Sequence, residues 1–173
     1  MSRWARRFAA VMLGAVLAAA VGCSSESPTA PVVEAPSAAI VDLLRNLHLL
    51  SCSTQPYAVA TRTVGREGGV IVVGTHRLVI PADALKSQVT IRAEQVPGST
   101  NSVRFSPEGL RFEKPAALTL SYSNCSFLLS VLKKVVYTDE QLRILELLPS
   151  IDLRFNQTVT GSIRHFSRYA VAW

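Results

Sequence analysis

The chain has 173 residues, 49% of them hydrophobic and 17% charged, which excludes a wholly disordered chain and fits one domain with a tail. Its formal charge of +6 overstates its basicity, because Arg3, Arg6 and Arg7 lie in what reads as a removable leader, and without them 15 basic and 12 acidic residues remain. Those charges are scattered, with Lys133-Lys134 the one lysine pair, so the basic face or stripe that nucleic-acid binding needs is missing.

The N-terminus reads as an export signal. Arg3, Arg6 and Arg7 precede an apolar run from Phe8 to Val21, shorter than the roughly 20 residues of a bilayer span and suited to a signal peptide. The run ends Ala20-Val21-Gly22-Cys23, which resembles the lipobox of bacterial lipoproteins. That resemblance implies a signal peptide over 1–22, removed to leave a lipidated Cys23 and a membrane partner reached through the lipid. An ordinary secretory signal with a chance cysteine is the alternative. By resemblance to proteobacterial sorting, Ser24 after the cysteine implies the outer membrane of a bacterial envelope. Residues 23–37, rich in Pro, Ser and Ala, cannot bury enough apolar surface to order themselves and read as a flexible linker.

Residues 38–52 read as a short amphipathic helix and a loop. Ile40, Leu43, Leu44, Leu47 and Leu50 fall near helical spacing. His48 has no second ligand nearby and reads as a surface or packing residue. With Cys23 given to lipid, Cys52 and Cys125 remain, and in an exported protein two cysteines suggest one disulfide, with two free thiols as the alternative. Neither lies in a zinc-type spacing.

From residue 53 to 173 the pattern is short strands and turns, which predicts an all-β antiparallel sandwich. Tyr57–Val64 can form a strand, Gly65–Gly69 a turn, and Val70–Val73 a β-branched strand. His76, Leu78 and Ile80 share a face, and Pro81–Leu85 predicts a stop with a single helical turn. Gln88–Gln95 alternates, with Val89, Ile91 and Ala93 on one side and Thr90, Arg92 and Glu94 on the other. Val103–Ser106 leads into the turn Ser106-Pro107-Glu108-Gly109. Leu118, Leu120 and Tyr122 form the next inward face. Phe127–Leu132 is a short run of helical spacing. Val135–Thr138 and Leu142–Leu148 flank Asp139-Glu140 as a hairpin, and Thr158–Trp173 reads as one closing strand. Its strict alternation puts Val159, Ile163, His165, Ser167, Tyr169, Val171 and Trp173 on a single face, toward the core.

Four stretches in order, GGVIVVGTHRLVIPADAL, FSPEGLRFEKPAALTLSY, VVYTDEQLRILELLPS and VTGSIRHFSRYAVAW, resemble a ZU-five-type domain, the family named for zonula occludens and netrin-receptor proteins and found also in ankyrins. The resemblance covers Tyr57 to Trp173. It implies a β-sandwich used for protein–protein contact, hence a protein partner. From the residues themselves, His48, His76 and His165 stand far apart with no carboxylate cluster at ligand spacing, so no metal or cofactor is expected. Asp83 stands where the family has Gly, and Asp tolerates left-handed backbone better than most residues.

No phosphate-cradling glycine motif, nucleophile elbow or metal-ligand cluster occurs in the sequence. One tripeptide is chemically suggestive. In some proteins of the family His-Phe-Ser cleaves itself, and the resemblance then implies Ser167 as nucleophile, His165 as its base and Phe166–Ser167 as the scissile bond. Along a straight strand the backbones of His165 and Ser167 lie about 6.6 Å apart, so a hydrogen bond between the side chains needs a kink. The competing expectation is a closing strand with a structural histidine and no catalysis.

Overall fold

Period-two alternation of apolar residues makes most of this chain a stack of half-buried ribbons, and a computed structural model shows how they stack. It describes residues 38–126 and 130–173. Among these residues one α-helix, α1 (Ala38–Arg45), precedes eleven strands: β1 (Ala58–Val64), β2 (Gly69–Val73), β3 (His76–Ile80), β4 (Val89–Val96), β5 (Ser102–Ser106), β6 (Arg111–Ser121), β7 (Lys134–Thr138), β8 (Ile144–Leu147), β9 (Ser150–Leu153), β10 (Thr158–His165) and β11 (Arg168–Ala172). They form two sheets, ordered β1-β4-β5-β11-β7-β8 and β2-β3-β6-β10-β9, and every pairing within them is antiparallel. The sheets pack face to face, so the all-β sandwich holds.

The inner faces follow the alternation. Ile91, Ala93, Val103, Phe105, Val135, Tyr169 and Val171 from the first sheet meet Ile71, Val73, Leu78, Ile80, Leu118, Leu120, Val159 and Ile163 from the second, all buried. Gly161 faces inward where a Cβ would lie 2.6 Å from the Cβ of Val135, so the missing side chain lets β10 and β7 approach each other.

Two expectations hold in detail. Cys52 and Cys125 form a disulfide, and Asp83 takes a left-handed φ of 59°. The Asp83 carboxylate lies 3.3 Å from Arg66 and 3.4 Å from Lys114, which brings the two neighbouring turns together.

Three expectations change. The helix stops at Arg45, and Leu47 to Leu50 are not helical. The chain instead runs alongside the end of β11: His48 N–H donates to the Trp173 carbonyl at 3.1 Å, Trp173 N–H to the His48 carbonyl at 3.0 Å, and Leu50 N–H to the Val171 carbonyl at 2.9 Å. Backbone pairing and the burial of Leu50 outweigh a further helical turn. Leu47 and Leu49 of this strap lie with Leu142, Ile144 and Leu147 over Val136, Ala170 and Ala172, a second small core outside the first sheet. Pro81–Leu85 makes a hydrogen-bonded β-turn and no helical turn, with Ala84 N–H on the Pro81 carbonyl at 3.2 Å. The third change concerns the closing strand. Thr158–Trp173 is two strands in different sheets, joined at Phe166-Ser167. The leader, Cys23, the linker and part of the Phe127–Leu132 run lie outside the described residues.

Candidate functional site: the His165-Phe166-Ser167 corner

The corner is prepared one strand away. β10 pairs with β6 in register up to Ile163 opposite Ala116, and the next pair is His165 opposite Arg111. Arg164 alone therefore faces Phe112, Glu113, Lys114 and Pro115, a bulge in β6 that holds a proline lacking the ladder donor. Past it the chain turns through Phe166 and Ser167 and enters the other sheet as β11.

Main-chain hydrogen bonds fix the turn. Phe166 N–H donates to the Leu110 carbonyl at 2.8 Å, and Gly109 N–H donates to the Phe166 carbonyl at 2.9 Å. Gly109 has a φ of 76°, a conformation that suits glycine in the turn after Pro107. Phe105 N–H donates to the Ser167 carbonyl at 3.1 Å. The Phe166 ring is fully buried, stacked on Phe105 with centroids 5.1 Å apart and set edge-on to Phe112 at 5.0 Å.

This overturns the single-face expectation. Phe166 fills the core, while His165 is half-buried and packs edge-on against Tyr137 with ring centroids 5.0 Å apart. Tyr169 Oη donates to the His165 carbonyl at 2.5 Å and lies 3.5 Å from His165 Nδ1. Burial pushes the Tyr169 hydroxyl pKa up, so it remains a donor.

Ser167 is 5% exposed, and its hydroxyl makes no hydrogen bond among the described residues. It opens onto a cleft of about 300 Å³ lined by Glu108, Arg111, Tyr137, His165 and Phe166. The corner thus brings His165, Phe166 and Ser167 to one cleft, and it supplies one backbone donor to the Phe166 carbonyl. It does not join Ser167 to His165 by a hydrogen bond, so a nucleophile–base pair is not assembled.

Arg168, the next residue, belongs to a charge ladder on the outer face of the first sheet that the sequence alone did not bring together. Arg168 Nη1 donates to the Glu140 carbonyl at 2.9 Å, Arg104 lies 3.0 Å from the Glu140 carboxylate and 3.5 Å from Glu94, and Arg92 lies 2.6 Å from Glu94. The Tyr57 hydroxyl, 2.7 Å from Glu94, together with Arg92 and Arg104 holds the Glu94 carboxyl below the usual range. The signal was available in part: alternation along β4 sends Arg92 and Glu94 outward together.

The far end of the sandwich holds the disulfide and a second polar group. Asn101 Nδ2 donates to the Ser121 carbonyl at 2.9 Å and to Asn124 Oδ1 at 2.6 Å, and Asn124 Nδ2 donates to the Ser53 carbonyl at 2.6 Å. His76 is 1% exposed beside them, its Nδ1 accepting the Ser121 N–H at 3.1 Å. The ring proton is then on Nε2, which has no partner among the described residues. His48 lies against Trp173 with the rings tilted and their centroids 5.8 Å apart. Among the described residues no three His, Cys, Asp or Glu side chains converge at metal-binding distance.

The chain matches no protein-family model and none of the curated proteins.

Proposed function

We propose that this is a lipid-anchored bacterial envelope protein of ZU-five type, whose β-sandwich is a structural or protein-interaction module without chemistry of its own. The lipobox-like Cys23, the Pro/Ser-rich linker and the four ordered motifs support it from the sequence. The observation that carries the non-catalytic part is the use made of the His-Phe-Ser tripeptide. Its phenylalanine is a core residue, its histidine packs against Tyr137 and Tyr169, and both main-chain groups of Phe166 are hydrogen-bonded. The phenylalanine ring, the histidine ring and the main chain of the motif support the crossing between sheets, and the Ser167 hydroxyl takes no part in it.

A second reading, self-cleavage between Phe166 and Ser167, is favoured by one feature. The chain bends at that bond, with an unpartnered serine hydroxyl in the cleft and the Gly109 N–H on the carbonyl to be attacked. In that reaction Ser167 Oγ adds to the Phe166 carbonyl carbon, the C–N bond breaks as the serine nitrogen takes a proton, and water hydrolyses the resulting ester.

Intact mass spectrometry of the protein purified from membranes separates the readings. The expected species runs from Cys23 to Trp173 and carries diacylglyceryl and acyl mass. A species ending at Phe166, absent from Ser167→Ala, replaces the non-catalytic reading with the second. A soluble chain without lipid mass overturns the anchor.

A further inference from the structure

We propose that the turn after β9 is a membrane-contacting apex, with Phe155 entering the interfacial region of the bilayer that carries the Cys23 lipid; the inference rests on the anchored reading above. Phe155 sits on a single 3-10 turn, Arg154–Asn156, and is fully exposed at 104% of its reference surface. On the strand leading to it, Ile151 is 69% and Leu153 50% exposed. Between them Asp152 points the other way, accepting the Tyr122 hydroxyl at 2.6 Å and the Lys133 N–H at 2.9 Å. The outward side of the segment is therefore Ile151, Leu153 and Phe155 in succession. From Ile151 to Gln157 the one acid is Asp152, whose side chain is 1% exposed. The apex presents an aromatic and two aliphatics, with Arg154 beside them, 3.9 Å from the buried Asp152 carboxylate, and no acidic side chain on its outward side. That is the composition of an interfacial contact.

Position names the occupant. Gln157 closes the turn and its carbonyl accepts the Tyr122 N–H at 2.8 Å. Cys125 follows three residues on, bonded to Cys52, just past the strap that pairs with Trp173. Phe155 thus projects from the end of the sandwich that holds the cystine and the strap. On the anchored reading the linker Ser24–Ser37 can span at most about 45 Å, so the domain stays within that distance of the surface bearing the lipid. The joint at Phe166 lies at the opposite end. Shape points the same way. A lone aromatic at the tip of a narrow turn fits a protein partner only where that partner offers a matching pocket, whereas a bilayer interface takes it without one.

The test uses the full lipidated chain in vesicles of phosphatidylcholine and phosphatidylglycerol with brominated acyl chains, in a Trp173→Phe background. Phe155→Trp is compared with Leu145→Trp, which is exposed on β8 away from the apex. Tryptophan emission of the Phe155→Trp protein should shift to the blue and be largely quenched, while that of Leu145→Trp stays bright. Protein that floats with vesicles while both variants stay equally bright overturns the contact and leaves the anchor standing. Protein that neither floats nor carries lipid mass overturns the anchored reading, and the contact with it.

Discussion

His76 accepts a main-chain hydrogen bond on one ring nitrogen and offers the other nitrogen's proton to nothing among the described residues. Burial alone pushes its pKa down from 6.5 to about 4, because the charged ring would lose its water without gaining a partner. The unfolded chain therefore binds a proton below about pH 6.5 that the folded chain refuses until about pH 4. Stability from this residue is fully present above pH 6.5 and falls as the pH drops through that window. The loss approaches roughly 3 kcal/mol, since each pH unit of the window removes about 1.4 kcal/mol. Urea titrations of wild type and His76→Gln between pH 7 and 4 should show the wild type losing more stability than the variant. Parallel curves would remove His76 as the cause. The alternation of His76, Leu78 and Ile80 made the burial legible in the sequence. The missing partner was not legible, because it depends on which atoms of Ser121 the ring meets across two strands.

At the scale of the element, the joint between β10 and β11 shows why a sequence can hide a corner. Ile163 and Val159 face the core before it, and Tyr169 and Val171 face the core after it. All four have odd numbers, so period two runs through the corner unbroken and reads as one strand. The one residue out of phase is Phe166, a large apolar side chain at an even position, and it is the residue that fills the space between the sheets. The disulfide was legible because setting Cys23 aside leaves two cysteines, and an exported reading of the chain favours pairing them over two free thiols without any appeal to geometry. The bulge in β6 was not, since Pro115 alone marks it. Phe166→Ala should cost about 3–5 kcal/mol by urea denaturation, since it leaves a cavity between Phe105 and Phe112. His165→Ala, at a half-buried position, should cost clearly less. Equal costs would mean that the corner is held by the histidine and not by the core.

At the scale of the molecule, the chain enters beside its last strand and is locked there. The cystine joins residues 73 apart, and in the chain-entropy account closing such a loop stabilises a fold by about 4 kcal/mol. The Cys52→Ser, Cys125→Ser double variant should lose on the order of that amount in urea, and reducing agent should act on the wild type alone. A loss below about 1 kcal/mol would place the stabilisation in the Asn101–Asn124 network.

The same bond decides where a pull arrives. If the domain hangs on the proposed lipid tether, a force between membrane and a partner would enter at the strap, where His48 and Leu50 are zipped to the end of β11 by three main-chain hydrogen bonds. Those can open one after another, releasing slack and baring Val136, Ala170 and Ala172. The release ends at Cys52. Beyond it tension passes through a covalent bond to Cys125 at the far end of β6, the longest strand of the second sheet, so the load is carried past the first sheet and the corner that closes it. The strap is a short shock absorber, and the cystine is its stop.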